Sequence, residues 1–284
     1  MILRIHAETG ASVRHICRAM KVPRSGFYHA AKESAAQVSD RHASELVEAI
    51  FFCHRRRYGH RRIWREMADR GVVCAPSRVR RIMRENGCRA IQPKNCTPKT
   101  SDGKALRPSP NLLCNRPLPE LPNQVWTGDI TFIPTEGGWL YLAVVMDLCS
   151  RRILGWNLAD NMRSELVLGA LNQALSSRPS TTHSVFHSDR GSQYGSASFR
   201  AALRGADIRQ SMSARSNPYD NAWTESFIGT LKREMLQSGR FQNHQGARTE
   251  IFEYIDGYYN NHRKHSALEY RTPVQFEHDI STKN

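Results

Sequence analysis

Two periods of apolar and polar positions divide the chain. The first third repeats with a helical period. "ASVRHICRAMKV" sets Val13, Ile16, Cys17 and Met20 at i, i+3, i+4 and i+7, and "PRSGFYHAAK" restarts the chain after a short break, so residues 11–32 read as a helix-turn-helix. A second helical pair follows. "YGHRRIWREMADRG" puts Ile63 and Met67 on one face, with Trp64 and Ala68 beside them, and stops at Gly71. "VVCAPSRVRRIMRENG" has Pro76 near a helix start, Val79, Ile82 and Met83 inward, and Gly87 as its stop.

After Val125 the pattern becomes that of strands. "WTGDITFIPT" alternates, "GWLYLAVVMDLCS" is a nearly continuous apolar run suited to a buried strand, and "RRILGWNLAD" completes a three-stranded meander. "SELVLGALNQALSSR" is a helix with Ser164 expected as its N-cap. Then come a strand in "SVFHSD", a helix in "SASFRAALRGA", a strand in "IRQSMSA" and a long helix over 220–236. The order βββαβαβα predicts an α/β, ribonuclease-H-like fold. Its mixed five-stranded sheet is flanked by helices and preceded by an all-α, helix-turn-helix-like region. Between the two textures lies a stretch rich in proline, with seven of the thirteen prolines in residues 92–124. Proline fixes φ and removes donors, so this stretch reads as an extended linker, either a plain spacer or a segment laid along DNA. The expected organisation is a helical DNA-binding region at 1–91, a linker at 92–122, a catalytic core at 123–238 and a C-terminal helical extension at 239–284.

Charge adds a partner to this outline. The net charge is +15, and it is segregated: residues 1–92 carry 19 Lys and Arg against 8 Asp and Glu, whereas residues 123–284 carry 17 against 16. A basic excess on one helical segment favours a polyanion through counterion release, so double-stranded DNA is the expected partner. On the last helix of the basic third, Arg78, Arg80, Arg81 and Arg84 occupy outward positions, and guanidinium groups at that spacing suit phosphates and guanine edges. Seven cysteines without a C-x-x-C pair read as free thiols in a reducing compartment. No run of 18 uncharged apolar residues suggests a membrane span, and the charged first 20 residues exclude a secretory apolar region. A cytoplasmic location follows.

Three carboxylates carry the candidate chemistry. Asp129 lies mid-way along the first strand, Asp189 closes the fourth, and Glu225 follows on the last long helix, with 35 residues between it and Asp189. On that helix Glu225 shares a face with Asn221, Gly229 and Lys232, opposite an expected core stripe of Trp223, Phe227, Leu231 and Met235. Phosphodiester chemistry uses carboxylate oxygens around two Mg²⁺ ions, and two Asp with one Glu form such a set.

The motifs "WTGDIT", "GWLYLAVVMDLCSRRILGW", "HSDRGSQY", "DNAWTESFIGTLKRE" and "YYNNHRKHSALEYRTPVQF" resemble the transposase family named after insertion sequence 3, specifically its second reading-frame product with a retroviral-integrase-like DDE core. The resemblance spans roughly 58–278. It implies Asp129, Asp189 and Glu225 as catalytic metal ligands for two Mg²⁺ ions, with Mn²⁺ as a substitute, and Lys232 as a contact to transposon-end DNA. It also implies water-driven cleavage at an end, attack by the freed 3′-hydroxyl, and a circular intermediate before insertion. A homo-multimer on DNA is implied, as is an upstream reading-frame segment supplying a further helix-turn-helix and a coiled coil, in a bacterial, nucleoid-associated setting. Glu269 stands where the family pattern has a glycine.

Several residues carry two readings. His187, two positions before Asp189, suits either a polarising contact to phosphate or water or a structural hydrogen bond. Asn221, one turn before Glu225, suits orientation of that carboxylate or a DNA contact. Asp147 reads as structural. Tyr258, Tyr259, Asn260, Arg263 and His265 suit either DNA contact or packing onto the core. His262, His265 and His278 lack zinc spacing with any cysteine pair, so no zinc domain is expected.

Overall fold

The computed structural model describes residues 2–24, 35–91, 108–114, 116–178, 183–214, 221–236 and 239–282. Most of the helix expected after Pro23, the first half of the proline-rich stretch and Cys96 lie outside them. The chain divides into two compact units, Met1–Ala90 and Ile91–Asn284. Among the described residues no helix is long and apolar enough to cross a membrane.

The first unit is helical. α1 (Ile2–Thr9) and α2 (Val13–Ala19) come first, and the Ser12 hydroxyl caps α2 by accepting from the His15 amide. α3 (Ala35–Cys53), a helix of 19 residues, did not stand out in the periodicity. α4 (His60–Asp69) and α5 (Pro76–Glu85) are the expected second pair. Val47, Ile50 and Phe51 of α3, Ile63 and Met67 of α4, and Val79, Ile82 and Met83 of α5 are all buried. Gly71 and Gly87 take φ of +79° and +66° just past α4 and α5, the left-handed region where glycine ends a helix at least cost.

The second unit is built on a five-stranded sheet ordered β3-β2-β1-β4-β5. β1 (Val125–Thr135), β2 (Gly138–Asp147) and β3 (Ile153–Ala159) form the antiparallel meander. β4 (Val185–Ser188) and β5 (Arg209–Met212) run parallel to β1, reached through α6 (Ser164–Ser177) and α7 (Ala197–Gly205). This is the ribonuclease-H-like arrangement that the element order predicts. α6 begins at Ser164, but its cap position is Arg163 without a side-chain bond, so Ser164 is not the N-cap.

Alternation along the strands sends the two apolar sets to opposite faces. Trp126, Ile130, Ala143, Val145 and Phe186 pack with α6 and α7. Ile133, Leu142, Val144 and Met146 pack instead with α8 (Ala222–Met235) and α9 (His244–Phe252), which continues as a π-helix over Glu253–Tyr259. The C-terminal segment therefore completes the core. The β2–β3 register shifts between Val145 and Met146, and there the Asn260 side chain bonds both the amide and the carbonyl of Ile153, at 2.9 and 3.0 Å. α10 (Pro273–Ser281) brings the buried Glu277 to Arg152, Arg178 and Ser150. The later part of the proline-rich stretch is fastened to the sheet edge: Leu112 N donates to Ser211 Oγ at 2.9 Å, and Leu112 and Leu113 pack on Val125, Leu148 and Val185.

Candidate active site

The parallel pairing of β1 and β4 aligns Gly128 with Ser188, so Asp129 and Asp189 come to the same level one step further on. α8 is fastened beside them by its first turn. Thr224 Oγ1 donates to Thr127 Oγ1 at 2.8 Å, and Asn221 Nδ2 donates to the Gly128 carbonyl at 3.4 Å. These bonds flank Asp129 on the strand and Glu225 on the helix, and they bring the third carboxylate to the strand ends. Gly128 is required by close packing: a Cβ there would lie 2.6 Å from Phe186 Cζ and 3.3 Å from Tyr194 Oη.

Each acid has a distinct setting. Asp129 is buried, and its Oδ1 accepts from the Ile130 amide at 2.8 Å. Burial and then the Asp189 charge raise its carboxyl well above the usual range, with Glu225 adding to the rise and Lys232 opposing it. Asp189 is half-buried and closes a tight turn through the Gly191 amide at 2.9 Å. Glu225 sits at the exposed rim, where partial desolvation and the Asp189 carboxylate raise it. A small cleft of about 100 Å³ opens on Asp129 and Asp189, with Met162 and Gln193 in its wall. Gln193 Nε2 holds the loop by donating to the Met162 carbonyl at 2.8 Å.

The three charges thus act on one another, yet among the described residues no three His, Cys, Asp or Glu side chains stand close enough to enclose a metal ion. The donor set itself fits a hard divalent cation, because it consists of carboxylate oxygens whose ionised forms are disfavoured by burial and repulsion.

The other sequence candidates are placed as follows. His187 is fully buried, with Nδ1 2.8 Å from Ser211 Oγ and Nε2 3.2 Å from Ser213 Oγ, which ties β4 to β5. Asp147 holds the β2–β3 turn, accepting from the Ser150 and Asn123 amides. Asn221 is buried beside Gly128, and its Oδ1 has no hydrogen-bond partner among the described residues. Lys232 is half-buried, one face with Glu225. Tyr259, Asn260 and Arg263 are buried against the core. Arg80 and Arg84 are exposed, whereas Arg78 and Arg81 pair with Asp40. The core-facing stripe of α8 is rotated from the expected one: Thr224, Phe227, Ile228, Leu231 and Glu234 are buried, while Trp223 and Met235 are only partly so. The C-terminal segment covers a second side of the helix and widens its buried face.

Two further residues escaped sequence reasoning. Tyr194, the last residue of "HSDRGSQY", is buried with its hydroxyl unpartnered among the described residues, and its acidity is suppressed by burial, Asp129 and Asp189. Glu234 is buried in a bidentate pair with Arg263 and accepts from Tyr254 Oη at 2.9 Å. The tail motif containing Arg263 was the available signal, but only the fold supplies its partner.

Comparison with known proteins adds the family. The integrase core domain family matches residues 119–218, a second integrase core domain family matches 206–273, and an HTH-like domain family matches 38–95. The chain is 38% identical over 246 residues to the transposase for insertion sequence element IS904 of Lactococcus lactis subsp. lactis (strain IL1403), covering 87% of this chain and 97% of that one. It is 37% identical over 270 residues to transposase InsF for insertion sequence IS3A of Escherichia coli (strain K12), covering 94% of both. A more distant likeness, at 18% identity and a TM-score of 0.47, links 82% of the chain to 74% of a chain in the cryoEM structure of a simian T-cell lymphotropic virus intasome. With an integrase core, an HTH-like domain and relatives that match nearly end to end, the chain belongs to the IS3 family of insertion-sequence transposases.

Proposed function

We propose that this transposase cleaves at the ends of its element and joins the freed 3′-hydroxyl to a second phosphodiester, with Asp129, Asp189 and Glu225 as its catalytic carboxylates. The observation that carries this reading is the pairing of Gly128 with Ser188, one residue before Asp129 and Asp189, with the start of α8, next to Glu225, fastened to the same stretch of β1. Mg²⁺, two ions per site with Mn²⁺ as a substitute, would polarise the scissile phosphate and favour the deprotonated attacking oxygen when held by these residues. The carboxylates bind as ionised oxygen ligands. Lys232, whose charge reaches Asp129, holds a backbone phosphate of the transposon end beside the acids. Asn221 sets the start of α8 against β1 and so orients Glu225, and His187 keeps the end of β4 rigid through Ser211 and Ser213.

Around this core, residues 1–91 bind double-stranded DNA through the arginines of α5, 92–122 connect, and 239–284 support the core. The protein works as a homo-multimer on DNA in the bacterial cytoplasm, at the nucleoid, with an upstream reading-frame segment as a further contributor.

The test is strand transfer with a labelled duplex in Mg²⁺. Asp129→Asn, Asp189→Asn and Glu225→Gln are each expected to lower joined product by at least ~10³-fold while leaving duplex binding intact, and chelation of Mg²⁺ should do the same. Joined product from Asp189→Asn at the wild-type rate would refute the assignment. Cleavage without joining by the wild type would identify a nuclease instead.

A further inference from the structure

The four arginines of α5 do not stand in one environment. With 100° between successive residues, Ser77, Arg80 and Arg84 fall on one flank of the helix and Arg78, Arg81 and Glu85 on the other, with Val79, Ile82 and Met83 buried between them. The second flank faces α3. There one oxygen of Asp40 takes Arg78 Nη2 at 2.7 Å and the other takes Arg81 Nη2 at 2.8 Å. Ser39 Oγ also accepts from Arg78 at 2.9 Å, and Glu85 pairs with Arg81 at 3.0 Å. The Arg81 and Arg78 hydrogen bonds hold the Asp40 carboxyl below its ordinary range.

The first flank faces the start of α4. Arg80 lies close enough to His60 for its charge, together with burial and Arg61, to lower the imidazole. Arg61, Arg80 and Arg84 are exposed, and among the described residues none of the three makes an ion pair. Phosphate approaching the Arg78 flank would meet the carboxylates of Asp40 and Glu85; on the Arg80 flank it would meet guanidiniums that no carboxylate pairs among the described residues.

We propose that α5 engages DNA with one flank only, through Arg80 and Arg84 together with Arg61 of α4, while Asp40 withholds Arg78 and Arg81 from the phosphates. This goes beyond the DNA-binding reading above and rests on it. Asp40 then serves orientation: it admits the duplex on one side of the helix and repels it on the other. The three exposed guanidiniums stand at the start of α4 and on the outer side of α5.

The test uses the full chain and a mixed-sequence 40-base-pair duplex, followed by fluorescence anisotropy over a NaCl series, because phosphate contacts are independent of sequence. The triple variant Arg61→Gln, Arg80→Gln, Arg84→Gln is expected to weaken binding at least tenfold and to flatten the log K against log salt slope by about 0.9 for each phosphate no longer neutralised. Arg80→Lys with Arg84→Lys should restore most of the slope. Arg78→Gln with Arg81→Gln should lose far less, while Asp40→Asn, which removes the carboxylate of Arg78 and leaves Arg81 with Glu85, should tighten binding and steepen the slope. Equal losses from the two flanks, or an unchanged slope in Asp40→Asn, would overturn the inference while leaving DNA binding in place. A wild-type chain that does not bind the duplex would overturn the DNA-binding reading and this inference together.

Discussion

Asp129, proposed above as a catalytic carboxylate, comes at a cost to the fold. It is buried, its nearest charged neighbours include Asp189 and Glu225, and burial and then Asp189 raise its carboxyl well above the ordinary value. A carboxyl with a raised folded pKa takes up a proton on folding. The destabilisation is therefore complete above the raised value and disappears as pH falls toward the unfolded value of about 3.9. Asp129→Asn is expected to unfold at a higher temperature than the wild type in metal-free buffer at pH 7. The gain is about 1.4 kcal/mol for each unit by which the pKa is raised, and it should shrink as the buffer is acidified. Calorimetry over a pH series with chelator measures it, and a gain that grew on acidification would contradict the account. Adding Mg²⁺ should stabilise the wild type and not the variant.

Two other single residues have sharp consequences. Gly128→Ala puts a Cβ 2.6 Å from Phe186 Cζ within a packed face, and is expected to cost about 1–3 kcal/mol in urea denaturation and to shift the strand that carries Asp129. Glu269 takes φ +55°, the region that glycine occupies most easily, which accounts for the glycine of the family pattern at this place. Replacing it with glycine should leave stability unchanged or raise it by up to about 1 kcal/mol, whereas Glu269→Val should lower it by about 1–2 kcal/mol.

At the scale of elements, the position of α8 decides whether there is a site. Its start is tied to β1 by Thr224 and Asn221. Its end is tied to the C-terminal segment by the buried Glu234–Arg263 pair, at 2.8 Å. Burial works against the Arg263 charge, but Glu234 outweighs it and raises the guanidinium further. Arg263→Met leaves the Glu234 carboxylate buried without its guanidinium, and is expected to cost about 3–5 kcal/mol and to lower strand transfer through the displaced Glu225 helix. The double variant Glu234→Leu, Arg263→Met should recover most of that stability. A double-mutant cycle in urea checks this, and additive losses would refute the coupling.

On the scale of the whole molecule, the two units divide the work by charge and by period. The helical period, the stops at Gly71 and Gly87, the alternating strands and the order of elements were all legible in the sequence, because each depends on neighbours within a few residues. Membership in the IS3 transposase family, with its integrase core, was legible too, through the motifs around Asp129, Asp189 and Glu225. α3 carries a stripe of its own, with Ala43, Val47, Ile50 and Phe51 at i, i+4, i+7 and i+8, but Leu46, Ala49 and Phe52 beside it blur the period, and α4 and α5 decide which of these residues are buried. The rotated face of α8 follows from the C-terminal segment packed on it; the Glu234–Arg263 pair joins residues 29 positions apart, and Asp40 reaches Arg78 and Arg81 across 38 and 41 positions. Local pattern therefore determined which elements form and which acids and bases they carry. Only the tertiary structure decided which of those charges face each other and which face outward, because pairing across such separations follows from packing and carries no periodic signal.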